Sequence, residues 1–410
     1  MKTVSLESLG RVLSALPSAP RVVASGNFAT PATLLATLDT AVPEYQLFVL
    51  NPQRGLPDRE GVTYETAFVG PGMRNSPRLR YYPCRLSRVP HLFQEVLHPD
   101  VVLLHTTVPD DGTLSLGLEV NILPAAVEAA RARGGLVIAQ VNRAMPTTFG
   151  DATMPLDAVD YIVEVDEPMA YHHPIPLDDV SQAIGARIAA LVPDGATLQL
   201  GIGGIPDATL AALLQHRSLM VWSEMFSDGV LALERAGCID RDVPITASFI
   251  FGSQELYDWV DNNKRIQMLR SEKTNAPGII AEHPNVFSVN SALEVDLFAQ
   301  ANASRVRGQI YSGFGGQTDF IVGALHSPGG QAIMALRSWQ PKANVSTVVP
   351  VLTGPVTSFQ HSYIVTEQGA AAIWGYDQAT QAQHIIDHAA HPSVRDELRD
   401  AANAMGLGPT

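Results

Sequence analysis

The strongest constraint on the fold is a repeated alternation of short, continuously apolar runs with segments of helical periodicity. In the first half the apolar runs are "RVVASG" (21–26), "YQLFVL" (45–50), "DVVLLHT" (100–106), "GLVIAQV" (135–141) and "DYIVEVDE" (160–167). Helical patterns separate several of them. "TPATLLATLDTA" (30–41) opens on Thr30 as N-cap with Pro31 at the first helical position, and "NILPAAVEAARARG" (121–134) closes on Gly134. Proline at the start and glycine past the end are the usual helix punctuation. A strand without polar alternation is apolar on both faces, so both faces need a cover. Such strands joined by helices build parallel sheet with helices on either side, and the expected fold class is α/β.

The second half repeats the theme. "ATLQLG" (196–201) leads into "PDATLAALLQH" (206–216), and "LMVWSEM" (219–225) leads into "GVLALERAG" (229–237). "PITASFIFG" (244–252), "RIQMLR" (265–270), "VFSVNSALEVDL" (286–297) and "AIMALRS" (332–338) read as further strands, and residues 378–406 as two closing helices. Between the halves lies "YHHPIPLDDV" (171–180), rich in proline and polar residues. It divides the chain into two open α/β domains of similar size, residues 1–178 and 179–410.

With 410 residues, 46% of them hydrophobic, the chain can bury a large core. A formal charge of −14 argues against nucleic acid as a partner, because binding its backbone needs clustered Lys and Arg. A phosphate-bearing small molecule is not excluded, since a local nest of N–H groups suffices. Cys84 and Cys238 form neither a disulfide framework nor a metal-type spacing, which fits a reducing, cytoplasmic setting. The N-terminal apolar positions are interrupted by Glu7 and Arg11, unlike a signal peptide, and no run of 18 apolar residues predicts a membrane span.

Three stretches carry candidate chemistry. "LGIGGIPDATL" (200–210) is a strand, a glycine turn and a helix start. Gly201, Gly203 and Gly204 permit close backbone approach, and a helix N-terminus favours an anion. As a dinucleotide fingerprint it fails, because Pro206 replaces the third glycine. Glycine at such turns also serves packing alone. "SLMVWSEMFSDGV" (218–230) delivers one carboxylate, Glu224, from an apolar strand, with a sharp turn expected at Ser227-Asp228-Gly229. A lone glutamate at a strand end is ordinarily a solvated residue. Here it would emerge on the same sheet edge as the glycine loop, where α/β sheets bind ligands. "YSGFGGQTDF" (311–320) places Gly313, Gly315 and Gly316 ahead of a helix, and their N–H groups can form an oxyanion nest.

Other candidates are weaker. His384, His388 and His391 lack an acidic companion motif, and His172 and His173 sit in the proline-rich linker. There is no G-x-S-x-G elbow, and neither cysteine stands in a basic or glycine-rich context. No metal site and no permanently bound cofactor are expected.

Taken in order, these motifs resemble the acetyl-CoA hydrolase/transferases, close to the 4-hydroxybutyrate and butyrate:acetate CoA-transferases. The resemblance rests on "HTTVPDDGTLSLGLEVN" (105–121), "VIAQVNRAMPTTFGD" (137–151) and "DYIVEVDEP" (160–168) in the first half. In the second half it rests on "GIGGIPDA" (201–208), "SEMFSDGV" (223–230), "VNSALEVDL" (289–297), "GFGGQTDFIVGA" (313–324), "IVTEQGAAAIWG" (364–375) and "HPSVRDEL" (391–398). It implies two α/β domains of similar architecture with the active site at their junction, commonly in a homodimer. It implies coenzyme A and acyl-CoA as substrates, and Glu224 as the nucleophile.

On that reading Gly315 and Gly316 supply oxyanion donors, while Gly201, Ile202, Gly203, Gly204, Ile205 and Pro206 contact CoA near its reacting end. The chain departs from the pattern at Arg337 and Trp339, where Pro and Thr are expected, and at Glu282, where Asn is expected. Two rivals stand beside transfer: an acyl-CoA hydrolase using the same glutamate, and a non-enzymatic acyl-CoA or phosphate sensor, which would carry an added partner-binding module.

Overall fold

The computed structural model describes residues 2–109, 112–173, 175–356, 358 and 360–408. The chain packs as two compact units, Met1–His173 with Ile245–Thr274, and Pro174–Pro244 with Asn275–Thr410. A single linear division near residue 178 therefore misses one excursion. Ile245–Ala247 and Ile266–Met268 were expected as strands of the second half. They pair in parallel with each other, and Ile266–Met268 pairs with Phe149–Gly150, in a small sheet of the first unit. Such pairing is set by contacts far apart in sequence, which no local pattern reports.

The first unit is built on an eight-stranded sheet. Its order is Lys2–Thr3, Tyr161–Val165, Leu136–Asn142, Val101–Thr106, Arg21–Ala24, Tyr45–Phe48, Val62–Thr66 and Leu79–Tyr81. Every neighbouring pair is parallel. All six residues of Val101–Thr106 are buried, as an apolar run in the middle of a covered sheet requires. Val62–Thr66 and Leu79–Tyr81 were not legible as strands, because their mixed polar residues carry no continuous apolar run.

A buried carboxylate sits in this unit. Glu119 is 1% exposed. It accepts hydrogen bonds from the Gly26 N–H (3.0 Å), Asn27 Nδ2 (2.6 Å) and Asn121 Nδ2 (3.1 Å). Burial pushes its pKa up to about 7, against the opposing pull of these three donors.

The second unit carries a six-stranded sheet ordered Met220–Val221, Thr197–Leu200, Val286–Ser291, Gln331–Ala335, Tyr363–Thr366 and Gly369–Ala372. The first five are parallel, and the last closes the sheet as an antiparallel hairpin. The expected closing helices are Gln378–His388 and Arg395–Ala404, and they bury Ile385, Ile386 and Leu398 in a core with Met334 and Ile364. Both units are thus open α/β sheets. Among the described residues no helix is long and apolar enough to cross a membrane.

Candidate active site

Strand Thr197–Leu200 pairs in parallel with Met220–Val221 on one side and with Val286–Ser291 on the other. Chain order reverses at this strand, and in open α/β sheets the crevice outside such a reversal is where ligands bind. Two of the sequence candidates leave the sheet there. Leu200 runs into the glycine loop, and Val221 runs into Trp222, Ser223 and Glu224. Ser223 Oγ donates to the Leu200 carbonyl (3.2 Å), which ties the two exits together.

The glycine loop is short and open. Gly203 adopts φ +115°, a conformation side chains disfavour, and caps helix Gly204–Ala212. Ile205 and Pro206 fall in the first helical turn, where the missing N–H of proline costs nothing. Nothing lies within 4 Å of a Cβ built at Gly201 or Gly203, and Ile202 is 41% exposed. Here glycine serves an open face, whereas at Gly204 a Cβ would stand 3.0 Å from Ser181 Oγ.

The turn expected after Glu224 is absent. Met225–Phe226 is extended, Ser227 is the N-cap, and helix Asp228–Arg235 begins at once. Gly229 lies inside that helix. A Cβ there would come within 2.5 Å of Leu210 Cδ1 and 2.8 Å of Leu210 Cβ. The glycine allows close approach of two helices rather than a bend.

Glu224 is largely buried. Asn275 Nδ2 donates to its Oε2 at 3.0 Å, and the backbone N–H of Gly316 bonds to the same carboxylate. Gly316 is the N-cap of helix Gln317–His326, so its N–H lies at a helix start and is free to bind an anion. A Cβ on Gly316 would overlap Glu224 Oε2 and Asn275 Nδ2. Gly315 adopts φ +49°, turning the chain into that start; of the two loop glycines, it is Gly316 whose N–H meets Glu224.

Burial pushes the pKa of Glu224 up to about 7. The Asn275 and Gly316 donors pull it down, and the charge of fully buried Asp319 pushes it further up. The carboxylate is thus poised near neutrality with two N–H donors on it. Both donors point at a carboxylate oxygen, where they stabilise negative charge.

Asn275 was not anticipated. It lies 51 residues from Glu224, just before the short helix Pro277–Ile280, where an asparagine ordinarily reads as turn or cap chemistry. Glu282 is exposed and precedes strand Val286–Ser291, at that strand's amino end. His384 Nδ1 donates to the Ala372 carbonyl (2.7 Å), and His391 Nδ1 meets Ser393 Oγ (2.8 Å). Among the described residues no group of three or more His, Cys, Asp or Glu is placed to hold a metal ion.

The geometry agrees with similarity to known proteins. Residues 62–171 match the acetyl-CoA hydrolase/transferase N-terminal domain, and residues 252–402 match the corresponding C-terminal domain, together more than half of the chain. The chain belongs to the acetyl-CoA hydrolase/transferase family. It is 40% identical over 350 residues to the 4-hydroxybutyrate coenzyme A transferase of Clostridium kluyveri, covering 82% of this chain and 80% of that one. It is 30% identical over 350 residues to the acetyl-CoA hydrolase of Neurospora crassa, covering 73% and 65%. The crystal structure of 4-hydroxybutyrate CoA-transferase from Porphyromonas gingivalis superposes with a TM-score of 0.81 at 31% identity, over 98% of both chains. As a member of this family the chain is an enzyme of the CoA-transferase type.

Proposed function

We propose that this enzyme moves CoA between short-chain carboxylic acids through covalent intermediates on Glu224. The supporting observation is that Asn275 Nδ2 and the Gly316 N–H both bond to the Glu224 carboxylate. In the first step Glu224 attacks the thioester carbonyl of an acyl-CoA. The C–S bond breaks, CoA leaves as thiolate, and an acyl-glutamyl anhydride forms. The thiolate then attacks the glutamyl carbonyl, the acid leaves as carboxylate, and a glutamyl-CoA thioester remains. A second carboxylate enters and the same bonds form and break in reverse.

No proton is transferred in any of these steps, so no Ser/His/Asp constellation is required. What is required is stabilisation of negative charge on the glutamyl oxygen when the thiolate adds. Asn275 and Gly316 already face that oxygen. The open loop Gly201–Pro206 on the adjacent strand end suits the pantetheine end of CoA, with Gly201 and Gly203 admitting close approach. Binding energy from the remote nucleotide part of CoA can offset the cost of desolvating and orienting the carboxylate.

Glu224→Ala and Glu224→Asp, assayed for CoA exchange between acetyl-CoA and propionate or butyrate, test the assignment. Loss of exchange is expected for Glu224→Ala. Incubation of the wild type with acyl-CoA followed by borohydride or hydroxylamine should mark the peptide carrying Glu224; near-wild-type exchange in Glu224→Ala, or marking elsewhere, refutes the role. Hydrolysis is the second reading, favoured by similarity to the fungal acetyl-CoA hydrolase. CoA release with and without an acceptor acid separates the two, since a transferase needs the acceptor.

A further inference from the structure

Strand Gln331–Ala335 pairs in parallel with Val286–Ser291, which pairs in parallel with Thr197–Leu200. Arg337, two residues past Ala335, therefore leaves the sheet on the same edge as the glycine loop. The two strand ends are about 10 Å apart, two inter-strand spacings. Arg337 Nη2 donates to Asp178 Oδ2 (2.5 Å) and to Ser181 Oγ (3.3 Å). Ser181 Oγ is the same atom that a Cβ on Gly204 would approach to 3.0 Å. One serine hydroxyl thus stands between the guanidinium and Gly204, where the loop enters its helix.

Three features of this arginine fit a ligand contact better than a brace. Both contacts use Nη2, leaving Nε and Nη1 without a protein partner among the described residues. The pair is open to solvent, with side-chain exposures of 36% for Arg337 and 50% for Asp178. An exposed pair contributes little to stability, so an incoming anion can displace Asp178 at small cost. Asp178 also has independent work: its Oδ1 accepts the Ser181 N–H (3.0 Å) as N-cap of helix Asp179–Ala189, and its Oδ2 accepts Ser181 Oγ (3.1 Å). The carboxylate stays anchored when the arginine turns away. The loop itself presents open space at Gly201 and Gly203. In a chain of net charge −14, a cation in that place is a specific provision.

We propose that Arg337 anchors an anionic group of the substrate thioester, either a phosphate of the CoA moiety or the distal carboxylate of a dicarboxylic acyl group, by releasing Asp178. The planar fork of the guanidinium recognises both groups through paired N–H donors. This rests on the CoA-transfer reading above and extends it to a specificity determinant.

The test compares wild type, Arg337→Ala, Arg337→Lys and Asp178→Asn. The measurements are kcat and KM with a monocarboxylic and a dicarboxylic acyl-CoA, the inhibition constants of free CoA and of pantetheine, and the melting temperature. A phosphate contact predicts that Arg337→Ala raises KM for both thioesters and the inhibition constant of CoA about tenfold, with pantetheine unchanged and kcat retained. A carboxylate contact predicts the rise for the dicarboxylic thioester alone. In either case Arg337→Lys recovers part of the loss, and Asp178→Asn leaves KM unchanged or lower. The proposal is overturned if Arg337→Ala leaves every constant near wild type. It is equally overturned if Arg337→Ala and Asp178→Asn raise all constants alike with equal falls in melting temperature, as a brace on the helix cap would. Retained transfer in Glu224→Ala would count against the covalent reading instead, so the two failures are distinguishable.

Discussion

Gly316→Ala adds one methyl group to the residue whose N–H faces Glu224. The backbone there sits at φ −86° and ψ −4°, which alanine adopts without strain. The perturbation is therefore confined to what the methyl meets, and it would overlap Glu224 Oε2 and Asn275 Nδ2. Either the carboxylate or its amide partner has to move. A displacement of order 1 Å at a reacting group costs about 10²-fold in rate. Loss of one oxyanion donor costs ~3 kcal/mol, again about 10²-fold.

The expected result is a fall in kcat on the order of 10²-fold for CoA exchange, with little change in the melting temperature. Borohydride trapping adds a second readout, since the yield of modified Glu224 peptide after incubation with acyl-CoA should fall in parallel. A variant that folds as the wild type does and keeps near-wild-type kcat would show that the Gly316 N–H and the Asn275 amide do not meet the reacting oxygen during turnover.

Other perturbations follow from the same contacts. In the proposed mechanism Glu224 attacks only when ionised, so with a pKa of about 7 the pH profile of kcat/KM should rise through neutrality to a plateau. Asn275→Ala removes a donor that lowers this pKa; it should move the rising limb to higher pH and depress the plateau, and an unmoved limb would refute the coupling. Gly229→Ala forces a methyl against Leu210 and should destabilise the fold by ~1–3 kcal/mol in chemical denaturation, a size typical of overpacking. Glu119 titrates at about 7 when folded and near the ordinary carboxylate value when unfolded. The folded state thus holds the proton longer, and its stability contribution is complete below the unfolded pKa and lost as pH rises through about 7. Glu119→Gln should flatten that decline by about one proton in the slope of unfolding free energy against pH, and an unchanged slope would mean that Glu119 titrates normally.

The sequence by itself determined the α/β class and most of the sheet strands, and it singled out two of the three groups that meet at the candidate site. Apolar runs fix strands because a covered sheet admits no polar alternation, and glycine or proline marks where each strand turns into a helix. Glu224 and Gly316 were legible because each stands beside such a mark. Tertiary structure alone decided the rest. Asn275 joins Glu224 across 51 residues, and nothing local distinguishes it from a turn asparagine. Gly229 read as a bend because a glycine after Ser-Asp suggests one, yet its reason is the side chain of Leu210 on another helix. Ile245–Thr274 packs with the first unit although its sequence follows the second unit's helices without a break. The near-neutral pKa values of Glu119 and Glu224 also lie outside the sequence, because burial raises them and burial is a property of what packs around a carboxylate. Local periodicity records which segments are strands and helices; which residues they bring within 3 Å is settled only when the sheets assemble.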